Sequence, residues 1–514
     1  MAVGTKRLER EHHGEAPSAG SPARLDPAPA PDPGRPPLLR LDRRTLGVAA
    51  GLAVTVFALS WYRHATFRSS TLDLAVFDQA IWKLAHFQAP QITTIGWNAF
   101  ADHLSPVLVL FVPFYWAAAT PLWLFAAQGL ALGAGYLALR PALDAAGAPR
   151  SASAALGITY LFSPLLWNAA LFDFHPTTLA VPLLLVGITC ALTDRRRGLV
   201  LCCVAVLLLR DDLGPAVAAM ALVGATRPQA RAGSGLRLRL GLAAAGLGWM
   251  VFGSELGKFL GSDRHWTYHY GYLASSPAGA LLHPVSTALR LAGGVWRGDN
   301  LFVIIAFLGP LLLLPLLKPK WVLAVGFLML PLFASAGSQF HSPKFHYGAP
   351  VLPFLLVAAG AALARLPKRL PERPVAGLLI AATVVGFLLI GPPATQMLTS
   401  PAPDAAQARA ALKLIHPGDG VVAGTSMGAH VSERDQLLMY PYPFYALQPL
   451  IPLSAKAKEV DAATAATIDV VILAAPRDAK SQALLDEFTS SPYARDFHLV
   501  GRFTDVLVYR RSGT

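Results

Sequence analysis

The chain is poor in charge and nearly free of cysteine: charged residues occupy 14% of 514 positions, and Cys190, Cys202 and Cys203 are its three thiols. So little charge beside 54% hydrophobic residues excludes an ordinary soluble domain. The cysteines lie inside apolar runs and lack the spacing of a zinc site or a disulfide framework, so they read as packing residues. No basic stripe with interleaved aromatics occurs, so the net charge of +13 does not point to nucleic acid. Residues 1–43 are rich in Pro, Ala, Gly and charge and lack a short apolar core with a cleavage site. They read as a disordered cytoplasmic tail, with the first span as anchor. An internal repeat of fixed period is also missing, which weakens the inverted-repeat architectures of many secondary transporters.

What the chain does have is long apolar runs, the mark of a multispanning membrane protein. Spans are drawn at 44–62, 121–139, 152–170, 176–193, 236–257, 301–317, 320–337, 348–366 and 375–392, and two shorter pieces, 199–209 and 213–225, flank Arg210-Asp211-Asp212. Counted together they give about eleven spans of an all-α polytopic protein. Placing the tail inside puts nearly every basic loop on one side: Arg40, Arg43 and Arg44, then Arg140 and Arg150, Arg195 to Arg197, Arg227 to Arg239, Lys318 with Lys320, and Arg365 to Arg373. This works when SPVLVLFVPFYWAAA, residues 105–119, lies along the outer face without crossing. The expected organisation is a tail (1–43), a transmembrane domain (44–392) with a first external loop (63–120), and an extracytoplasmic α/β domain (393–514). That last part alternates helical periodicity (AAQARAALKLI) with short β-like runs (GVVAG, DVVIL, DVLVYRR) and turn signals such as HPGDG.

On this topology the ionisable chemistry collects outside: Asp73, Asp78, Asp102, His103, Asp173, His175, His265, His269, His341, Lys344 and His346. Ionisable groups around a membrane cavity are functional candidates. The first loop is too long to be a mere connector. Within it TLDLAVFDQAIWKLAHF repeats Leu74, Phe77, Ile81 and Leu84 at helical spacing, predicting an interfacial helix with its apolar side on the bilayer. The plainer alternative makes Asp73 a helix N-cap and Asp78 a solvated acid. LFDFHP sets Asp173 and His175 at the outer end of a span, able to bind a divalent metal or a phosphate-bearing ligand, or to form a simple polar turn before Pro176. LLLRDDLG places Arg210, Asp211 and Asp212 between apolar runs, where Arg210 needs a carboxylate or an anionic ligand unless the apex reaches the headgroups. HWTYHYGYL, with His269, and SQFHSPKFHYGAP, with His341, Lys344 and His346, offer donors for a phosphate or pyrophosphate at the membrane surface. Their tyrosines and Trp266 also fit an interfacial aromatic belt.

The segments TLDLAVFDQAIW, ADHLSPVLVLFVPFYW, LFDFHPTTLAVPLLL, LLLRDDLG, FHYGAPVLP and VVAGTSMGAHVSERDQ together resemble the bacterial membrane proteins grouped as domain of unknown function 2079. That family is similar in layout to GT-C glycosyltransferases, such as protein O-mannosyltransferases and aminoarabinose transferases. The resemblance implies transfer of a sugar from a polyprenyl-phosphate donor to a cell-envelope acceptor at the plasma membrane, often with a divalent metal such as Mg or Mn. It assigns the catalytic carboxylate to Asp73 or Asp78, with Asp73 favoured by its distance to Phe77, and the second acid, a metal ligand, to Asp173. Asp102, His103, His175, Arg210, Asp211, His269, His341, Lys344 and His346 are the expected substrate-binding residues. The family's paired first-loop acids are here split as Asp73 and Asp78. Two other readings compete: a lipid or solute transporter or flippase, and a non-catalytic envelope protein whose C-terminal domain binds a partner.

Overall fold

A computed structural model describes residues 36–225, 234–262, 269–296, 298–366, 372–444 and 462–513. His265, Trp266 and Tyr268 lie outside the described residues. The chain is mostly helical. Among the described residues, five helices are long and apolar enough to cross a membrane, or six when the pair Pro284–Val295 and Gly298–Leu311, bent by 64°, counts as one span. Four shorter apolar helices of 10–17 residues accompany them. Length and composition therefore give fewer crossings than the expected eleven. The physical reason is visible at polar breaks such as Arg210, where the apolar run is split into Arg196–Leu209 and Gly214–Leu222, each too short to span alone.

The first span is α1 (Arg43–Ala65), capped by Asp42, whose side chain accepts from the Thr45 N–H. It packs on α5 (Leu122–Ala146) through Gly129-x-x-x-Gly133. A Cβ at Gly129 would lie 2.5 Å from the Ala53 carbonyl oxygen, and one at Gly133 2.6 Å from that of Ala49. Small residues four apart let two backbones meet closely where lipid offers no hydrophobic drive. Next come α6 (Arg150–Leu161), α7 (Pro164–Leu171), α8 (Pro176–Leu192), α9 (Arg196–Leu209) and α10 (Gly214–Leu222). A 3₁₀ turn at Asp211–Leu213 separates α9 from α10. The long helix α11 (Gly235–Phe259) packs on α10 and on the first loop.

Between α1 and α5 the loop is a folded layer: α2 (Leu74–Ala85), the hairpin β1 (Gln91–Ile92) and β2 (Trp97–Asn98), α3 (Ala99–Asp102), a 3₁₀ turn at Pro106–Phe111 and α4 (Val112–Ala117). The segment 106–117 is twelve residues of helix, about 20 Å and too short to cross. The expectation for α2 fails. Leu74 and Ile81 are buried, and so are Asp78 and Gln79 on the other side. The helix is covered on both faces, because the C-terminal part of the chain lies over its polar side.

That part holds a five-stranded sheet in the order β4-β3-β5-β7-β6, built from β3 (Val421–Ala423), β4 (Leu437–Met439), β5 (Val470–Ala474), β6 (Phe497–Arg502) and β7 (Val506–Arg511). β3 runs parallel to β4 and β5, and β7 antiparallel to β5 and β6. Val421, Val422, Val470, Val471 and Ile472 are fully buried, which accounts for the continuous apolar runs of the inner strands. The loop after β3 docks on the first loop. Thr71 donates through its N–H (2.9 Å) and hydroxyl (2.8 Å) to the Thr425 carbonyl. Gln79 donates to the Arg434 carbonyl at 3.1 Å, and the Thr93 hydroxyl donates to the Leu437 carbonyl at 2.6 Å. Arg63 and Arg68 add bonds to the Met397 and Ser400 carbonyls, both at 3.1 Å.

Candidate functional site

Asp173 organises the cluster. It follows α7 with φ of 89°, a region costly for any residue but glycine. Arg63 at the end of α1 (3.2 Å) and the Ser70 backbone N–H (2.8 Å) hold its two oxygens. Arg63 also donates to the Leu171 and Arg68 carbonyls. With 3% of its side chain exposed, Asp173 joins the first span, the first loop and the turn before α8. Burial raises its pKa, and Arg63 opposes the shift.

Asp73 stands at the N-cap of α2, but its side chain makes no cap hydrogen bond. It keeps 24% exposure and lies 3.7 Å from Nε2 of His175, too long for a direct hydrogen bond. Burial, then the neighbouring Asp173 carboxylate, pushes its pKa up to about 7 against the pull of Ser70 and Arg63. Asp78 is built differently. It is 1% exposed, and it accepts from the Tyr115 hydroxyl at 2.5 Å and the Ser432 hydroxyl at 2.6 Å. Burial lifts it to about 6, and the nearby Glu433 to about 8, the latter also raised by Asp78 itself.

Across from Asp73 the rings of His175 and His346 stack with centroids 3.6 Å apart and planes within 16°. Both are buried, with Phe172 against both and Phe77 against His175. Among the described residues, Nδ1 of His175 and both nitrogens of His346 have no hydrogen-bond partner. Burial, reinforced by Arg210, lowers His175 to about 3; burial, then His175, Arg210 and His103, holds His346 well below its ordinary value. Neutral imidazoles with orphaned nitrogens form a polar lining that a ligand would satisfy.

The α9–α10 apex supplies the charge. Arg210 donates from Nε to Asp212 at 2.9 Å and from Nη2 to Nε2 of His103 at 2.9 Å. Accepting from Arg210 assigns the lone pair to Nε2 of His103, so Nδ1 carries the proton and points to Asp211 Oδ1 at 3.5 Å. Asp211 is placed by its N–H bond to the Leu104 carbonyl (3.1 Å) and by Gly253 of α11, where a Cβ would lie 2.5 Å from Asp211 Oδ2. Among the described residues His103, Asp211 and Asp212 form the three-donor cluster compact enough for a metal, with ligand atoms within 4.8 Å of one another. The fit is poor while Arg210 holds both His103 and Asp212, since the proton on His103 Nδ1 faces the place where the ion would sit. Asp173, the acid expected to bind metal, is outside this cluster.

Asp73, Asp173, His175, His346, Arg210, His103, Asp102 and Asp211 therefore share one region where the first loop, the Asp173 turn and the apex meet. His269 and His341 belong to another group: His269 contacts the Ser335 hydroxyl at 3.0 Å, and His341 contacts Asn300 Oδ1 at 2.5 Å and the Ser335 carbonyl at 2.8 Å. Lys344 is exposed and joins neither. Two open cavities, of about 490 and 520 Å³, lie elsewhere, the first beside Tyr272, Arg290 and Ser335 and the second beside Arg40, Arg140 and Arg150. Arg63, Tyr115 and Ser432 were not singled out from sequence. For Arg63 a cation at the end of the first span was the available signal; for Ser432 there was none.

A family model described as a predicted membrane protein, DUF2079, matches residues 63–491. No curated protein matches the chain. Among solved structures, ArnT from Cupriavidus metallidurans in the apo state is similar at a TM-score of 0.49 and 15% identity, over 90% of this chain and 97% of that one. Arabinofuranosyltransferase AftD from Mycobacteria is similar at a TM-score of 0.44 and 15% identity, over 93% of this chain and 40% of its own length.

Proposed function

The chain belongs to the DUF2079 family of predicted membrane proteins, and we propose that it transfers a sugar from a polyprenyl-phosphate donor to a cell-envelope acceptor, with Asp73 as general base. The observation that carries the reading is the contrast between the two first-loop acids. Asp78 has both oxygens committed to Tyr115 and Ser432, whereas Asp73 is accessible and uncapped, with a pKa of about 7 that suits a base working near neutrality. In the proposed inverting step the acceptor hydroxyl gives its proton to Asp73 as its oxygen bonds to the anomeric carbon. The bond from that carbon to the phosphate oxygen breaks, and the polyprenyl phosphate leaves with the electron pair. Arg210 and an N–H of His346 or His175 are the groups placed to hold the departing phosphate. His103 and Asp212 orient Arg210, and Asp173 holds the loop that presents Asp73.

A divalent metal is not given a step, because Arg210 holds two of the three candidate ligands, His103 and Asp212. The proposed orientation has the N-terminus cytoplasmic and the site outside, at the far end of α1. Native mass spectrometry of the detergent-purified protein with polyprenyl-phosphate sugars tests the reading. Wild type retains the lipid, Arg210→Ala weakens retention, and Asp73→Asn retains it but does not transfer. Failure to retain such lipids while ordinary phospholipids stay bound removes the donor from the account and favours transport or partner binding.

A further inference from the structure

The end of the bundle opposite the candidate site holds a second polar feature. An open cavity of about 520 Å³ is lined by Pro37, Arg40, Arg140, Pro141, Asp144 and Arg150. Its walls come from the segment before α1, the last turns of α5 and the start of α6, three helices that, with α7 continuing α6, are long and apolar enough to cross a membrane. The segment is fixed in place: Nη2 of Arg195 donates to the Pro36 carbonyl at 2.6 Å, and the Arg40 N–H to the Leu137 carbonyl at 2.9 Å. With 23 residues in α1, the cavity is roughly 35 Å from Ala65 and so independent of the Asp73 site.

Two of the three guanidiniums have acidic partners, Arg140 with Asp144 at 2.7 Å and Arg40 with Asp42 at 2.5 Å. Arg150 is exposed and has no ion pair among the described residues. It is also the first residue of α6, where backbone N–H groups of the opening turn lack helical acceptors and favour an anion. Arg43 and Arg44, both exposed in the first turn of α1, add to the positive field. A general bias of basic residues to one membrane side explains their number. It does not explain why three of them wall one cavity beside a helix N-terminus.

We infer that this cavity binds the phosphate of an anionic phospholipid headgroup, with Arg150 and Arg40 as principal donors. Guanidinium groups match phosphate oxygens in paired hydrogen bonds. The ends of membrane-crossing helices place the cavity at headgroup depth, where basic pockets between helices take acidic lipids. A free phosphate or soluble phosphoester shares the chemistry but not the location, so a lipid is the occupant assigned here.

The test uses the full-length protein in detergent, incubated with equal amounts of phosphatidylglycerol and phosphatidylcholine and read by native mass spectrometry. Wild type retains phosphatidylglycerol with about tenfold preference, and Arg40→Ala/Arg150→Ala falls to within about twofold. Asp144→Asn, which removes the competing carboxylate, strengthens the preference and keeps the test decisive if the double variant fails to fold. No preference in wild type, an unchanged preference in the double variant, or a weakened one in Asp144→Asn overturns the site. Displacement of bound phosphatidylglycerol by millimolar inorganic phosphate, with lipid failing to displace phosphate, overturns the lipid as occupant.

Discussion

Loosening of the C-terminal part from the first loop as pH rises is the consequence of the Asp78 network that can be worked out furthest. Asp78 is buried and linked to Ser432 across that contact, with Glu433, Arg434, Asp435, Lys83 and Tyr115 as its charged and titratable surroundings. Its pKa is about 6 in the folded chain against an ordinary carboxyl value of 3.8, so the folded state binds the proton more tightly. The stabilisation is therefore fully present below 3.8 and is lost as pH rises through about 6. That difference corresponds to about 3 kcal/mol as an upper scale. Glu433, raised to about 8, extends the loss in the same direction to mildly alkaline pH. Hydrogen exchange read by mass spectrometry over residues 425–437, corrected for intrinsic rates, should show protection that declines steadily from pH 5 to pH 8. In Asp78→Asn the decline should shrink to the part due to Glu433. Tyr115→Phe should lower protection mainly above pH 6, where the carboxylate is charged and loses a donor worth about 1.5–3 kcal/mol. Protection that is flat with pH in wild type, or that declines equally in Asp78→Asn, refutes the reasoning.

Three further outcomes concern stability. Arg63→Met leaves Asp173 buried without its cation and should destabilise the detergent-solubilised protein by about 3–5 kcal/mol, with Arg63→Met/Asp173→Asn costing less than the sum of the singles in thermal unfolding. Gly133→Leu should lower the midpoint in the same assay, because its Cβ would sit 2.6 Å from the Ala49 carbonyl and overpacking costs about 1–3 kcal/mol. Gly51→Ala on α1, where a Cβ meets nothing within 4 Å, should be near neutral.

The membrane-crossing helices were legible because a long apolar run has few other solutions in water or lipid. The interruption at Arg210 was legible too, since three charges separate two short apolar pieces. Two features were not. The periodicity of Leu74, Phe77 and Ile81 describes one face of α2 correctly, yet nothing local says that residues some 350 positions later cover the other face and convert Asp78 from a solvated acid to a buried one. The separation of His341 from His346 was equally hidden. Five residues apart, they face different partners because one is consumed by Asn300 and Ser335 while the other stacks on His175. Spacing gives which side chains are near in the chain, and long-range packing decides which of them share a site.

The central claim is that Asp73 is the base, and the pH dependence of transfer tests it most directly. With a pKa of about 7, Asp73 is protonated and inactive in acid, so sugar transfer from a polyprenyl-phosphate donor should rise tenfold per pH unit below 7 and level off above it. Asp73→Asn should abolish the rise together with the activity, while Asp78→Asn keeps the same profile. A rate that is flat from pH 5 to pH 8, or a profile unchanged in Asp73→Asn, contradicts the account.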